Sequence, residues 1–331
     1  MPAGFLAKAV ATTSWVLLFG LLFLTTLYFG GARNAVAGPS YLIGAVLWLL
    51  LGLQALVGIL QKKRSVDLVD LPVFLFLGYA AWATWGYAAD EYHARLEWLW
   101  ASVYGGVFLT ARHQLPGRRM VPWLLGAFLL AVLISVGYGF AHFRVGEYAV
   151  GPVDFLGLPE DLRSEKYEER MSGTFGCPNN FGNQTVQAGL VALTLLTWPG
   201  LFWPMRVLAG WAALALASAT FFSISRGSWI SFVVANTTWL LRWLRRGPLN
   251  SLGRIAVIGL TLGVLGITYL LAVRDPVVAE RWFLALGRGE GIERIFKGDG
   301  NFRLKLAMDG IRIWQTAPVL GTGPASFDQE H

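Results

Sequence analysis

Apolar residues in this chain fall in long unbroken runs, not in strict alternation and not in one-sided helical stripes. The runs are about 17 to 21 residues long, which is what an α-helix needs to cross a hydrocarbon core. They predict about nine spans, over 13–31, 41–60, 69–87, 94–111, 121–140, 183–200, 205–223, 227–244 and 253–273. The expected fold class is all-α, a polytopic helical membrane protein.

Polar residues between the runs set an expected orientation. Lys62-Lys63-Arg64, Arg112 with Arg118-Arg119, and Arg242 with Arg245, Arg246 and Arg254 are basic clusters in short segments. With Lys8 and Arg206, they all fall on one side if the spans strictly alternate. Basic loops are retained on the cytoplasmic side, so the N-terminus is expected inside. Lys8 and the Ala35-Val36-Ala37 triplet resemble parts of a signal peptide. The run between them is long for one, and Arg33 interrupts it, so it reads as an uncleaved first span.

Two longer segments then face away from the cytoplasm. Residues 141–182 form an outer loop of mixed charge within a transmembrane domain at 1–273, and 274–331 form an extracytoplasmic segment. In the latter, Leu304, Ala307, Ile311 and Trp314 recur at i, i+3, i+7 and i+10, opposite Lys305, Asp309 and Arg312. This predicts an amphipathic helix capped by Asn301 and stopped by Pro318 and Gly321. It is too short to span, so it is expected on the membrane surface or packed over the spans.

Composition narrows the function class. Hydrophobic residues make up 55% of the 331 and charged residues only 14%, against about 25% in soluble domains. The net charge of +7 belongs to the basic loops. No basic stretch is interleaved with base-stacking aromatics, so no nucleic-acid partner is expected. A single cysteine, Cys177, excludes an internal disulfide and a cysteine metal cluster. Trp82, Trp85, Trp98, Trp100 and Trp203 lie near span ends, as interfacial residues do.

Ionisable residues within the spans are scarce; Glu97, with the neutral Gln54 and Asn236, is the exception. Proton-coupled transporters usually hold such groups at mid-depth, so their scarcity argues against a transporter. Arg226, in SISRGSWISF, opens a span from the outer side. It reads either as a snorkelling cation or as a clamp for an anion, with Ser223, Ser225 and the helix amides as further donors. Arg170 and Arg303 lie on the same expected side. Of the four histidines, His93, His142 and His331 are expected outside and His113 inside. No zinc, P-loop or nucleophile-elbow motif occurs.

The segment MSGTFGCPNNFGNQ (171–184) packs three Gly, one Pro and three Asn against the start of a span. These residues suit a tight turn, and Asn179, Asn180 and Asn183 offer neutral amides to sugar hydroxyls.

Together, RMSGTFGCPNNFGNQ (170–184), SISRGSW (223–229), and the tail with Arg303, a helix ending near Trp314 and then PVLGTGPASF (318–327) resemble the O-antigen ligase and polymerase-like membrane glycosyltransferases. The resemblance runs from about the third span onward. It implies transfer of a glycan from undecaprenyl diphosphate to lipid A-core, a polysaccharide or a protein, at the periplasmic face of a bacterial inner membrane. It also implies metal-independent chemistry without a cofactor. Arg170, Arg226 and Arg303 would bind the diphosphate, Thr174, Asn179 and Asn180 would contact substrate, and a loop histidine, here His331, would activate the acceptor.

The chain departs from the family at Cys177-Pro178-Asn179-Asn180, where asparagine-proline-asparagine-histidine is common. Family members also continue into further spans. The alternatives are a transporter of a small anionic solute and a catalytically silent, truncated homologue.

Overall fold

The computed structural model describes residues 3–27, 34–60, 67–88, 90–114, 121–142, 170–175, 177–198, 200–246, 266, 274 and 299–318. The side chains of 3–7, 34–36, 57, 60, 142, 226, 246 and 299–307 fall outside that description. Among the described residues the chain is all helical, with nine α-helices and no strand. They are α1 (Ala3–Leu27), α2 (Asn34–Leu60), α3 (Leu71–Gly86), α4 (Glu91–Gln114), α5 (Val121–His142), α6 (Pro178–Leu196), α7 (Trp203–Phe222), α8 (Arg226–Arg246) and α9 (Asp299–Thr316).

Four of these helices are long and apolar enough to cross a membrane, fewer than the nine spans expected: Lys8–Leu27, Ala37–Leu56, Val121–Ala141 and Trp203–Phe222. The shortfall has physical causes. α3 is apolar but has only 16 residues, which rise about 24 Å. α4 opens with Glu91, His93, Arg95 and Glu97, α6 opens with Asn179, Asn180 and Asn183, and α8 carries Asn236 and a basic end. The ninth expected span, 253–273, lies outside the described residues apart from residue 266, as does most of the loop 141–182. At most a third of each of the four spanning windows is buried. Leu42, Leu49, Trp123, Leu208 and Trp211 project their apolar side chains outward. Such faces suit lipid better than water.

α9 begins at Asp299, two residues ahead of the expected cap Asn301. An acidic residue is favourable in a first helical turn, where the backbone amides are unpaired. Met308, Ile311 and Trp314 on α9 are exposed.

The contacts divide the chain into two compact units, Met1–Leu21, Asn34–Val121 and Ile292–His331 in one, Leu22–Arg33 and Pro122–Gly291 in the other. In the first, α2 and α4 run parallel. A Cβ on Gly44 would come within 2.7 Å of Val103, and further along Gln54 reaches the His113 carbonyl. The Trp48 indole donates to Ser102 O at 2.9 Å. α3 runs antiparallel to α4. Trp98 Nε1 donates to Leu77 O, and at the other end buried Asp70 meets Arg112 Nε at 3.0 Å and His113 Nε2 at 2.9 Å.

In the second unit, α5, α6 and α7 share a core of Val132, Val136, Met171, Phe181, Ala188, Ala192, Leu216 and Ala219. The alanines let the antiparallel pair α6 and α7 approach closely. Across that seam Thr185 Oγ1 and Thr220 Oγ1 lie 2.8 Å apart. At the α6–α7 turn, Arg206 donates to Leu201 O and Trp198 O, carbonyls that no helix amide reaches.

Candidate functional site

The two motifs singled out in the sequence meet in the second unit. Met171 N donates to Phe222 O at 2.9 Å, laying the irregular entry of 170–172 against the end of α7. The chain then makes a 3-10 turn, Gly173–Phe175, and enters α6 through Cys177 and Pro178. Pro178 suits the first helical position because the missing amide would have had no intrahelical partner there. Gly173 has φ +53°, and a Cβ would meet Phe181 Cε2 at 2.5 Å and Ser135 Oγ at 2.6 Å. Only glycine fits.

Arg170 is buried, at 7% exposure. Its Nε donates to Ser223 O at 3.0 Å and its Nη2 to Asn179 Oδ1 at 2.7 Å. The planar guanidinium thus ties three segments: its own, the first turn of α6, and the turn after α7. That turn is Ser223–Ser225, with Ile224 at φ +48°, an uncommon conformation for a β-branched residue. α8 then begins at Arg226.

The starts of α6 and α8 touch. Ser228 Oγ donates to Asn183 Oδ1 at 3.0 Å and lies 3.0 Å from Ser225 Oγ. Gly182 makes this possible, because a Cβ there would lie 2.5 Å from Ser228 Oγ and 2.6 Å from Ser223 Oγ. Trp229 Nε1 donates back to Thr220 O and Phe221 O, closing the junction. The second turn of α6 thus packs against the first turn of α8, bringing the two helix N-termini near each other, an electropositive setting that suits an anion.

The sequence-derived site residues divide into three groups. Arg170 and Asn179 are brought together, and Asn180 is exposed beside them. Thr174 is buried at 4% exposure, away from any surface, and acts as an internal bolt. Its amide donates to Ser135 Oγ at 3.0 Å, its hydroxyl donates to Thr26 O at 2.9 Å, and the two hydroxyls are 2.8 Å apart. Arg226 and Arg303 have their backbones on α8 and α9 but their side chains outside the description, and His331 lies wholly outside the described residues.

Ser223 and Ser225, expected as anion donors, are committed internally. Ser223 Oγ donates to Thr220 O at 2.7 Å, and Ser225 Oγ accepts from Ser228 N at 3.4 Å as a helix cap. Sequence reasoning missed Ser228, Ser135 and Thr26. Ser228 carried a faint signal, lying three residues after a capping serine, whereas the other two carried none.

Among the described residues no group of three or more His, Cys, Asp or Glu could hold a metal ion. Comparison with known proteins finds no matching family model, no matching curated protein and no matching solved structure.

Proposed function

We propose that the chain is a membrane glycosyltransferase of the O-antigen ligase type. It would move a glycan from undecaprenyl diphosphate to a lipid A-core, polysaccharide or protein acceptor. The observation that carries this reading is the junction itself: the opening turns of two helices packed at Gly182 and Ser228, with the buried Arg170 cation bonded to Asn179 and Ser223 O and Arg226 as the first residue of α8. Convergent amides and a fixed guanidinium provide electrostatic stabilisation for a leaving diphosphate.

In the proposed reaction an acceptor hydroxyl attacks the anomeric carbon. The carbon–oxygen bond to undecaprenyl diphosphate breaks with inversion, and a base takes the hydroxyl proton. Arg170, held by Ser223 O and Asn179, supplies a charge that need not reorganise as the diphosphate departs. Arg226 is the residue proposed to touch the diphosphate, and Asn179 and Asn180 meet sugar hydroxyls; a part for Arg303 rests on the resemblance alone. His331 is the proposed base, on the resemblance alone. Thr174 is reassigned from substrate contact to support of the turn that carries Arg170.

The pattern of contacts also supports the strict alternation of the first eight expected spans, with the junction facing the periplasm. Thr26, Ser135, Thr174, Ser223 and Ser228 bond among helix ends that strict alternation puts on the outer side. Asp70, Arg112, His113 and Gln54 meet at ends that it puts inside. One span more or fewer among the first eight would mix the two sets.

The test is glycan transfer from a defined undecaprenyl-diphosphate oligosaccharide to candidate acceptors in proteoliposomes. Arg226→Ala is expected to lower transfer at least 100-fold with unchanged folding and insertion. Transfer by Arg226→Ala at the wild-type rate would refute its role. Absence of transfer with every acceptor, together with flux of a small anion across the same vesicles, would favour the transporter instead.

A further inference from the structure

One face of α4 carries a graded stripe that the proposed reaction does not use. Glu97, Trp100, Tyr104 and Phe108 recur at i, i+3, i+7 and i+11, so they share one side of the helix over about 16 Å. Tyr104 is 66% exposed and Phe108 45% exposed. The Trp100 ring stacks near Tyr104, with centroids 6.0 Å apart and planes 24° from parallel. Tyr41 of α2 meets Trp100 edge-on at 5.2 Å. Glu97 is exposed and close enough to act electrostatically on the Tyr41 hydroxyl.

Glu97 forms no ion pair among the described residues. The nearest basic side chains along its helix are engaged elsewhere: Arg95 pairs with Glu91, and the His93 ring bonds Asp90. A carboxylate on a face turned towards lipid is costly without a compensating charge. Ring faces are electronegative and attract cations, so carboxylate and rings together select a compact ammonium and disfavour an anion. Deeper along α4 the stripe becomes wholly apolar at Phe108. The occupant must therefore be cationic at one end and apolar at the other, in the order a phospholipid presents.

We propose that Glu97, Tyr41, Trp100 and Tyr104 bind the ammonium of an ethanolamine or choline phospholipid, whose acyl chain runs along Phe108. The site rests on the reading that α4 crosses the membrane.

The test is native mass spectrometry of the detergent-purified chain with palmitoyl-oleoyl phosphatidylethanolamine, phosphatidylcholine or phosphatidylglycerol added singly. The ethanolamine and choline lipids are expected to bind about threefold to tenfold more than the glycerol lipid. Glu97→Gln should abolish that preference with the melting temperature of the lipid-free protein unchanged, and Glu97→Lys should reverse it. Equal retention of all three lipids, or a preference that survives in both variants, would overturn the site. Displacement of the bound lipid by free ethanolamine would overturn the lipid in favour of a soluble amine. Retention of no lipid at all would overturn both the site and the spanning role of α4.

Discussion

Gly182→Ala tests whether the contact between the starts of α6 and α8 is as close as the structure has it. An added Cβ would stand 2.5 Å from Ser228 Oγ, 2.6 Å from Ser223 Oγ and 2.9 Å from Ser228 Cβ, where ordinary contact begins at 3.4 Å. The hydroxyls could rotate away only by giving up bonds to Asn183 and Thr220, each worth about 1 kcal/mol. The Ser228 Cβ cannot rotate away, so α8 must also shift; overpacking of this kind costs about 1–3 kcal/mol. Against this, alanine gains about 1 kcal/mol of helix propensity over glycine. The expected net loss is about 2–4 kcal/mol. Gly189→Ala on the same helix is the control: its Cβ meets nothing within 4 Å, so it should gain up to about 1 kcal/mol. Reversible unfolding in mixed micelles, followed by far-ultraviolet circular dichroism, compares the two. Adding Ser228→Ala should restore part of the loss, because the sites are coupled. Equal stability of Gly182→Ala and Gly189→Ala would refute the close approach.

Arg170→Lys keeps the charge but loses the fork that bonds Ser223 O and Asn179 together; a loss of about 2–4 kcal/mol is expected in the same unfolding assay. Gly173→Ala should cost about 1 kcal/mol from the positive φ alone, and more from the contact with Phe181; proteolysis of the 3-10 turn by trypsin at Arg170 should accelerate. Asp90 gives a pH prediction: its carboxylate accepts from the His93 ring and amide, and these bonds hold its pKa below the ordinary 3.8. A depressed folded pKa means the cap on α4 is intact above the ordinary aspartate value and is lost as pH falls through the folded one. Exchange of the His93 amide should therefore quicken in acid, relative to its intrinsic rate, in the wild type. In Asp90→Asn that pH dependence should be flat.

The helices were legible because apolar runs of span length have few other readings. Their ends were less so, since helices continue past the apolar run: α2 begins at Asn34, with Pro39 inside it, seven residues before the expected 41. The spanning class of α4, α6 and α8 depends on where their polar residues sit, which a run length does not record. At the site, Arg170 and Asn179 were both named from one motif, but their bond was not predicted. The internal bonds of Thr174 were not foreseen because its partners, Ser135 and Thr26, are 39 and 148 residues away and belong to otherwise ordinary apolar runs. Ile224 at φ +48° was invisible, because nothing in its side chain favours that conformation.

The bond from Thr174 to Thr26 O also sets a clock. Thr26 O lies near the described end of α1 and accepts from the Thr174 hydroxyl. Its partner is made 148 residues later, about 7 to 30 s at ordinary rates of synthesis. For that interval the bond is unmade while the described helices α2 to α5 are threaded after α1. The end of α1 is thus among the last parts of this unit to settle, although it is the first to leave the ribosome.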